Sequence, residues 1–466
     1  MRKPLPSKRR VHFIGIGGIG MSALARWFKS QGYAVSGSDS QQSPITDRLK
    51  SNGIIVFIGH NPKNVHKNIE QVISTSAITP QAPGYKEFEQ ARRYGCRMLT
   101  YYQSLGQITH DYRLFCVAGA HGKSTTTALL SLVLIRAKRD PTVIIGTKLR
   151  EFKDLNFRLG KSKDFILESD EHNAAFLNYS PFAAIVTNID REHLDFYENL
   201  PAIKKSFLGF ISRINPGGIA VLNGDDKNLK SLKSRIQKTA AAANIRVCWY
   251  SSKNNRTAAK KIKKILRVPG EHNVANALGV YTLARALDIN EKVILDALHS
   301  YRGSWRRMEH RGKFPTTNID VYDDYAHHPT EIRATLNGIA ESWPHRPILC
   351  VFQPHQAERL KLLFRDFLGA FKSASALILL DLYRVPGRDA EPKENLSKKL
   401  SAAIQKYLEH PAANRHLQEV IYLSNPLQLP KIVKGALSDL QHAGQTPIIV
   451  MMGAGDIVKY TDLLIQ

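Results

Sequence analysis

Residues 114–125 read LFCVAGAHGKST, an apolar run followed by a glycine-rich turn and then by lysine, serine and threonine. This pattern predicts a strand over Leu114–Val117, a loop, and a helix that begins near Ser124. The amides of such a loop and the Lys123 ammonium bind ATP phosphates, and the Ser124 hydroxyl reaches a magnesium ion. The alternative, a tight turn that only exposes a lysine, fits the specific Gly-Lys-Ser-Thr order less well. The predicted ATP-phosphate residues are Gly119, Ala120, His121, Gly122, Lys123, Ser124 and Thr125.

A second glycine-rich turn, GIGGIG at residues 15–20, lies near the N-terminus. It follows a predicted strand over Val11–Ile16 and opens a helix predicted from about Ile19 to Ser30. The next predicted strand, Tyr33–Ser38, is followed by Asp39. This is the dinucleotide-binding pattern, in which glycines let backbone amides approach a diphosphate at a helix N-terminus. By itself the pattern leaves three interpretations open: an NAD site, a nucleotide-sugar diphosphate site, or a plain glycine turn.

Two polar residues follow strands that are predicted to flank the phosphate loop. Glu168 follows the strand Phe165–Leu167, and His193 comes shortly after the strand Ala183–Thr187. Parallel strands bring their carboxyl ends to one crevice, where a carboxylate and an imidazole suit a magnesium ion bound through ATP phosphates. A hydrogen-bonded surface histidine is the alternative for His193 taken alone.

Two later segments also carry polar side chains. Residues 271–276 offer side chains that suit an adenine or a ribose, and residues 323–331 end a strand with carboxylates and imidazoles before a proline that begins a helix. The neighbours His327 and His328 do not indicate a zinc site, because adjacent side chains on a strand point to opposite faces. The predicted adenosine-binding residues are His272, Asn273 and Asn276.

Apolar strands alternate with helix-period segments through the whole chain of 466 residues, which predicts α/β layers with largely parallel sheets. The length suggests about three domains. Strands in the last third are predicted near residues 319–323, 348–352, 376–381, 419–423 and 447–451. The predicted domains are residues 1–105, 106–303 and 304–466.

The chain carries 66 lysines and arginines against 40 acidic residues, a net charge of +26. Such a surplus fits anionic partners. The cluster at 253–267 has seven positive charges but no aromatic residue for base stacking, so we expect no nucleic-acid partner. Further basic residues of the N-terminal arm are Lys3, Lys8, Arg9 and Arg10.

The four cysteines form no C-x-x-C pair, which argues against a disulfide framework and a zinc site. No apolar run reaches the ~18 residues of a membrane span. The N-terminal stretch has the charge of a signal peptide but four glycines in its apolar part. These features predict a cytoplasmic protein without a membrane partner.

Together the motifs resemble the Mur ligases over nearly the whole chain. GIGGIGM is typical of the alanine-adding member of that family, and DDYAHHPTEI is hard to meet by chance. The matching stretches are HFIGIGGIGMSALA, VFIGH, AGAHGKSTTT, ESDE, TNIDREHLD, PGEHNVANA, RRMEHRG, DDYAHHPTEI, FQPHQAER and VMMGAGDI. Departures from the family pattern are Ala120, His172, Asn173, Gln356 and a longer segment at Leu382–Pro392.

The resemblance implies three α/β domains: a Rossmann-like UDP-binding domain, a central phosphate-loop ATPase domain with a mostly parallel sheet, and a Rossmann-like C-terminal domain that binds the amino acid. It implies that ATP and Mg²⁺ serve to join L-alanine to the lactyl carboxylate of UDP-N-acetylmuramate through an acyl phosphate. Partners would be small molecules only, for a monomer or homodimer. The alternative is a related ligase that adds a different amino acid or a peptide.

The resemblance also implies roles for residues by position. Lys123 and Arg307 would offset repulsion between anionic reactants, and Ser124, Glu168 and His193 would hold magnesium. Asp324 would join the ATP-binding residues. The residues implied in catalysis are Lys123, Glu168, His193, Arg307, His355 and Arg359. Those implied in UDP-sugar binding are Gly15, Gly17, Gly18, Gly20, Ser38 and Asp39, and those in amino-acid binding are Tyr325, His327, His355 and Arg359.

Overall fold

A computed structural model describes residues 9–75, 78–194, 196–384, 394–409, 416–441 and 445–465. Lys3, Lys8, Asp195 of TNIDREHLD and residues 385–392 of the long segment lie outside this described part. The chain forms two compact units, one of residues up to Asn255 with Leu278–Ala297 and one of Arg256–Ala277 with the residues from Leu298 onward. Within the described residues, every helix is too short or too polar to span a lipid bilayer.

The first sheet is entirely parallel and has the strand order β3-β2-β1-β4-β5. Its strands are β1 Arg10–Ile14, β2 Ala34–Asp39, β3 Ile55–Ile58, β4 Gln71–Ser74 and β5 Arg97–Thr100. The chain leaves β1 toward β2 and later returns to the other side of β1. The glycine-rich turn after β1 therefore lies at the topological switch point, where open α/β sheets bind ligands.

The second sheet has the order β12-β11-β10-β6-β9-β7-β8 and is parallel except for the hairpin of β7 and β8. Its strands are β6 Arg113–Ala118, β7 Thr142–Leu149, β8 Leu155–Arg158, β9 Asp164–Glu168, β10 Ala183–Val186, β11 Ile219–Asn223 and β12 Arg246–Tyr250. Strand β6, which feeds the phosphate loop, is central and has β9 and β10 as its neighbours. This confirms the predicted flanking strands.

The third sheet, in the second unit, has the order β13-β14-β18-β15-β16-β17. Only the β13–β14 pair is antiparallel among its named strands. The strands are β13 Glu309–Lys313, β14 Asp320–Asp324, β15 Ile348–Phe352, β16 Ala376–Leu380, β17 Glu419–Leu423 and β18 Ile448–Met452. The five strands predicted here all occur, within one or two residues. The chain is thus α/β with three mostly parallel sheets, as predicted, and the boundaries at 105 and 303 stay predictions.

Helices follow most strands, and the first one begins and ends where the sequence predicts. The helices are α1 Ile19–Ser30, α2 Pro44–Ser51, α3 Tyr85–Arg93, α4 Tyr101–Thr109, α5 Lys123–Arg136, α6 Leu200–Ile211, α7 Lys227–Ser231, α8 Lys233–Ala242, α9 Arg256–Ile265, α10 Glu271–Ala286, α11 Glu291–Ser300, α12 Pro329–Ser342, α13 Ala357–Leu362, α14 Phe364–Leu368, α15 Leu396–Leu408, α16 Leu429–Gln441 and α17 Val458–Leu464. Short 3₁₀ turns occur at Pro62–Asn64, Arg150–Phe152, His172–Asn178 and Pro426–Gln428.

Helix α1 joins the first two sheets into one core. Every residue from Met21 to Phe28 is buried, so the helix is covered on all sides. It packs on the β7–β8 hairpin as well as on its own sheet, and apolar residues of both sheets form one continuous cluster. At its start, the Asn156 side-chain amide of β8 donates a hydrogen bond to the carbonyl of Ile19. The glycine-rich turn before α1 is thereby held against the second sheet.

A buried carboxylate supports the carboxyl end of the first sheet. Glu87 of α3 is fully buried, and its Oε1 accepts hydrogen bonds from the backbone N–H of Asn61 at 2.9 Å and from Asn64 Nδ2 at 2.6 Å. Its Oε2 accepts from the Ser38 hydroxyl and lies 3.2 Å from His60 Nδ1. Ser38 is one of the predicted UDP-sugar residues, so Glu87 positions this part of the candidate site.

We predict that Glu87→Gln lowers the thermal midpoint of the protein at pH 7. Burial opposes ionisation, but contacts with His12, His60 and Ser38 keep the pKa of Glu87 well below its ordinary 4.5. Its stabilisation is therefore present above about pH 4.5 and is lost as pH falls further. Losing a charged hydrogen-bond acceptor costs about 2 kcal/mol, a shift of several degrees.

Calorimetric scans of wild type and variant at pH 7, 5 and 4 test this, with Glu89→Gln on the same helix as control. The difference in thermal midpoint between wild type and Glu87→Gln should become smaller toward pH 4. A gap that is absent, or that stays constant with pH, would show that the carboxylate charge does not contribute.

Candidate active site

The phosphate loop is shaped by two glycines with positive φ, Gly119 and Gly122, and by hydrogen bonds to the segment after the neighbouring strand. Gly122 has φ of +80° immediately before α5, a conformation that favours glycine. The backbone N–H of His121 donates to Asn188 Oδ1 at 2.8 Å, and the Thr187 hydroxyl donates to the His121 carbonyl at 2.6 Å. The residues that follow β10 therefore fix the loop that follows β6.

The lysine of this loop is held by a buried carboxylate. Lys123 Nζ donates to both oxygens of Glu171, at 3.0 and 2.8 Å, and to the Gly119 carbonyl at 2.8 Å. Burial lowers the pKa of Lys123, but Glu171 and Asp170 raise it more, so it stays above its ordinary value. Burial raises the pKa of Glu171, whereas Lys123 and His193 bring it down to about 2. Both groups are charged at neutral pH.

Acidic groups that suit a metal lie beside this ion pair. Glu168 Oε1 accepts a hydrogen bond from the Ser124 hydroxyl at 2.8 Å, and Glu168 Oε2 accepts from the Gly146 N–H at 2.7 Å. Asp170, Glu171 and His193 each offer one ligand atom within 4.8 Å of the others. Two carboxylates with one imidazole suit a hard divalent cation. The residues present fit the magnesium that the resemblance implies.

The three predicted metal residues do not all contact one another in the structure. Ser124 meets Glu168, whereas His193 Nε2 lies 3.4 Å from Glu171 Oε1 and 3.9 Å from Asp170 Oδ1. Burial lowers the pKa of His193, but the hydrogen bond to Glu171 raises it above the ordinary value. Sequence reasoning gave Asp170 and Glu171 no role. The signal for both is the ESDE motif, residues 168–171, which places them directly after Glu168.

The glycine-rich turn of the first sheet is also ordered by a carboxylate. The backbone N–H of Gly17 donates to Asp39 Oδ2 at 2.8 Å, and the N–H of Gly15 donates to the Ser38 carbonyl at 2.8 Å. Gly18 precedes the first turn of α1 and supplies no side chain to cap it. Such a helix N-terminus favours anions.

One cavity of about 270 Å³ extends between the two glycine-rich turns. Its lining includes Gly18, Ile19 and Gly20 from the first turn and Lys123 from the phosphate loop. The cavity is lined by Gly18, Ile19, Gly20, Met21, Thr75, Tyr101, Tyr102, Lys123, Ile144, Ile145, Gly146, Glu168, Asp170 and Tyr179. The structure thus brings together predicted UDP-sugar residues, the predicted catalytic lysine and a predicted metal carboxylate.

In the second unit, five predicted residues gather at the carboxyl edge of the third sheet. The Arg307 guanidinium lies 4.9 Å from the Tyr325 ring centroid. The rings of His327 and His355 are 6.0 Å apart, and Arg359 Nη1 lies 3.3 Å from His355 Nδ1. Two guanidinium groups beside aromatic and imidazole rings can bind a carboxylate.

The remaining predicted residues of the second unit have structural contacts. Asp324 accepts hydrogen bonds from the N–H groups of Met308 and Ala326, both at 2.9 Å. Asn273 Nδ2 donates to the Pro269 carbonyl at 2.6 Å. Burial lowers the pKa of His272 to about 4, so its ring is neutral at pH 7. The adenosine-binding role of these residues and of Asn276 stays a prediction.

Three domain families match this chain in succession. Mur ligase family, catalytic domain, covers residues 10–113; Mur ligase middle domain covers 117–284; Mur ligase, glutamate ligase domain, covers 306–455. The order and extent of the matches define a ligase of the three-domain α/β type. The chain belongs to the Mur ligase family.

Individual relatives are similar over nearly their whole length. UDP-N-acetylmuramate–L-alanine ligase of Clostridium acetobutylicum is 36% identical, with 98% of each chain covered. The enzyme of the same name from Desulfosudis oleivorans is 37% identical over 96% of each chain. Among solved structures, UDP-N-acetylmuramate-alanine ligase of Thermotoga maritima superposes with a TM-score of 0.76 at 26% identity, with 98% of each chain covered.

We predict that Lys123→Ala abolishes turnover. Losing one charge-assisted contact to a transferring phosphoryl group should lower kcat about a hundredfold or more, measured by phosphate release. The substitution also leaves the Glu171 charge buried without its partner, which should lower the thermal midpoint. Lys238→Ala, at an exposed position of α8, is the control.

The pair Lys123→Ala/Glu171→Gln separates the two effects. Removing both charges should restore much of the lost stability and none of the activity. Near wild-type turnover in either variant would be incompatible with a phosphate-binding role for Lys123.

Proposed function

We propose that this chain joins L-alanine to the lactyl carboxylate of UDP-N-acetylmuramate, with ATP converted to ADP and phosphate, in the synthesis of peptidoglycan precursors in the cytoplasm. The observation that carries the proposal is that one cavity is lined both by an anion-favouring helix N-terminus and by Lys123. A substrate with a diphosphate and a carboxylate separated by a sugar fits this lining, because the helix N-terminus favours the diphosphate and Lys123 favours the carboxylate and the phosphates of ATP. The names of the relatives above support the same reaction.

The reaction requires activation of the carboxylate, because oxide is too poor a leaving group for an amine to displace at neutral pH. Transfer of the γ-phosphoryl group of ATP to the lactyl carboxylate gives an acyl phosphate. The alanine amine then attacks its carbonyl carbon, and phosphate leaves as the amide forms. Every reactant in the first step is an anion, so the site must supply positive charge.

Lys123 supplies that charge. Its ammonium is held over the loop by Glu171 and the Gly119 carbonyl, so it is oriented before the nucleotide binds. Loop amides from Gly119 to Thr125 would bind the ATP phosphates beside it. Because Glu171 is itself hydrogen-bonded by Lys123 and contacted by His193, the lysine keeps one orientation instead of several.

Ser124, Glu168 and His193 would hold magnesium, together with Asp170 and Glu171. When bound, the ion supplies Lewis-acid stabilisation of phosphate charge. The Ser124 hydroxyl donates a hydrogen bond to the Glu168 carboxylate, so these two oxygen atoms, which would both be metal ligands, lie close together.

The amino acid would bind at the edge of the third sheet. Tyr325, His327, His355 and Arg359 form its carboxylate-binding group in this proposal, and Arg307 beside them would offset the repulsion between the anionic reactants. His272, Asn273, Asn276 and Asp324 would contact the nucleoside part of ATP. The net charge of +26 suits three anionic or zwitterionic small-molecule substrates. We propose a monomer or homodimer with no nucleic-acid or membrane partner.

The proposal is tested by phosphate release from the purified full-length protein with ATP, magnesium and UDP-N-acetylmuramate, with L-alanine, L-serine, glycine or a peptide added in turn. Release with L-alanine should be fastest, by about tenfold or more, and omission of the UDP-sugar should abolish it. Faster release with a peptide would indicate a related ligase instead, and no release with any acceptor would reject the proposal.

We predict that Arg359→Lys raises the KM for L-alanine about tenfold, because lysine cannot pair with a carboxylate through two parallel N–H groups. The KM for UDP-N-acetylmuramate and for ATP should change less than twofold. Arg365→Lys, on the exposed side of α14, is the control in the same assay. An unchanged KM for alanine would remove Arg359 from the amino-acid site.

A further inference from the structure

Two tyrosines line the cavity together with residues of the glycine-rich turn and Lys123. Tyr101 is the first residue of α4, and Tyr179 follows the 3₁₀ turn His172–Asn178. Both line the cavity. Tyr179 is only 1% exposed although it borders this space. The glycine loop and the phosphate loop do not explain why two aromatic hydroxyls are placed between them.

Tyr101 lies directly over the start of α1. A Cβ added to Gly20 would lie 2.6 Å from the Tyr101 hydroxyl and 2.7 Å from its Cζ atom. A side chain at position 20 would therefore require the Tyr101 ring to shift. The hydroxyl of Tyr101 is thus next to the helix turn that forms the predicted diphosphate site.

Tyr179 is brought toward Tyr101 by a close backbone contact. Helix α4 packs against the turn that precedes Tyr179, and a side chain at Gly106 of this helix would collide with the Asn178 carbonyl. The absence of a side chain at this point lets helix and turn approach. The two tyrosines therefore hold a defined relative position.

Both hydroxyls remain donors at physiological pH. Burial, Tyr102 and the charges of Glu168 and Asp170 raise the pKa of Tyr101, and burial raises that of Tyr179 well above its ordinary value. Among the described residues, neither hydroxyl makes a hydrogen bond to the protein. Buried hydroxyls usually find partners, so a ligand oxygen in the cavity is the expected acceptor.

We propose that Tyr101 and Tyr179 position the sugar of the substrate, by donating hydrogen bonds to oxygens of the pyranose 1-phosphate part between the diphosphate and the carboxylate. This inference rests on the proposed function. A pyranose presents hydroxyl oxygens to donors and C–H faces to aromatic rings, which matches a wall of two tyrosines. The residues are positioning and specificity residues, since the reacting carboxylate lies nearer Lys123 in this arrangement.

Binding of UDP-N-acetylmuramate and of UDP alone to the full-length protein, measured by calorimetry without ATP, tests this assignment. Tyr101→Phe and Tyr179→Phe should each weaken binding of the UDP-sugar about fivefold, the effect of one neutral hydrogen bond. Binding of UDP should change less than twofold, which also shows that the fold is intact. Tyr85→Phe, whose hydroxyl is not at the cavity, is the matched control and should bind both ligands like wild type.

Three outcomes would overturn the inference: unchanged affinity for the UDP-sugar in both variants, an equal loss for UDP, or a loss of kcat with unchanged UDP-sugar affinity. The first shows that the hydroxyls are not used, the second that they act on the diphosphate or on folding, and the third that they act on the chemical step. If the wild-type protein itself fails to bind UDP-N-acetylmuramate, the proposed function fails and this inference fails with it.

Discussion

The packing of helix α1 between two sheets is the constraint on which the candidate site depends. The helix carries the glycine-rich turn at its start and is buried from Met21 to Phe28. Because it packs on its own sheet and on the β7–β8 hairpin, its N-terminus is fixed relative to the second sheet, and so to the phosphate loop. This shared helix therefore brings the anion-favouring turn of the first sheet and the phosphate loop of the second sheet to one cavity.

Charge within the site is arranged in pairs that keep buried groups ionised. Glu171 is buried and would prefer to be neutral, yet Lys123 and His193 hold it as a carboxylate. Glu87, at the carboxyl end of the first sheet, is likewise held as a carboxylate, but its partners include amide and hydroxyl donors instead of a lysine. In both places a buried carboxylate fixes a neighbouring segment: Glu171 accepts hydrogen bonds from the lysine of the phosphate loop, and Glu87 accepts them from Asn61 and Asn64 around a short 3₁₀ turn.

Much of this arrangement could be predicted from local sequence. The two glycine-rich turns, the strands that flank β6 and the position of Glu168 depend on short patterns, and the structure has them. The partner of Lys123 could not be predicted, because Glu171 meets it across 48 residues only after β6 and β9 pair. Tyr101 follows a strand of the first sheet, whereas Tyr179 follows a strand of the second sheet. The close contact of Gly106 with Asn178 brings their two segments together. The antiparallel β7–β8 hairpin was not predicted either, because no strand was assigned between the helix after the phosphate loop and Phe165.

The shared helix has a consequence for how this chain can be divided. The first sheet ends near residue 100, and its removal looks like a way to obtain a smaller nucleotide-binding fragment. Such a truncation would take α1 away and expose the apolar surface of β7 and β8 that α1 covers. Exposed patches of this kind cause aggregation. If the chain is instead divided between β5 and α4 and both fragments are expressed together, they should remain associated, because α1 of the first fragment packs on β7 and β8 of the second.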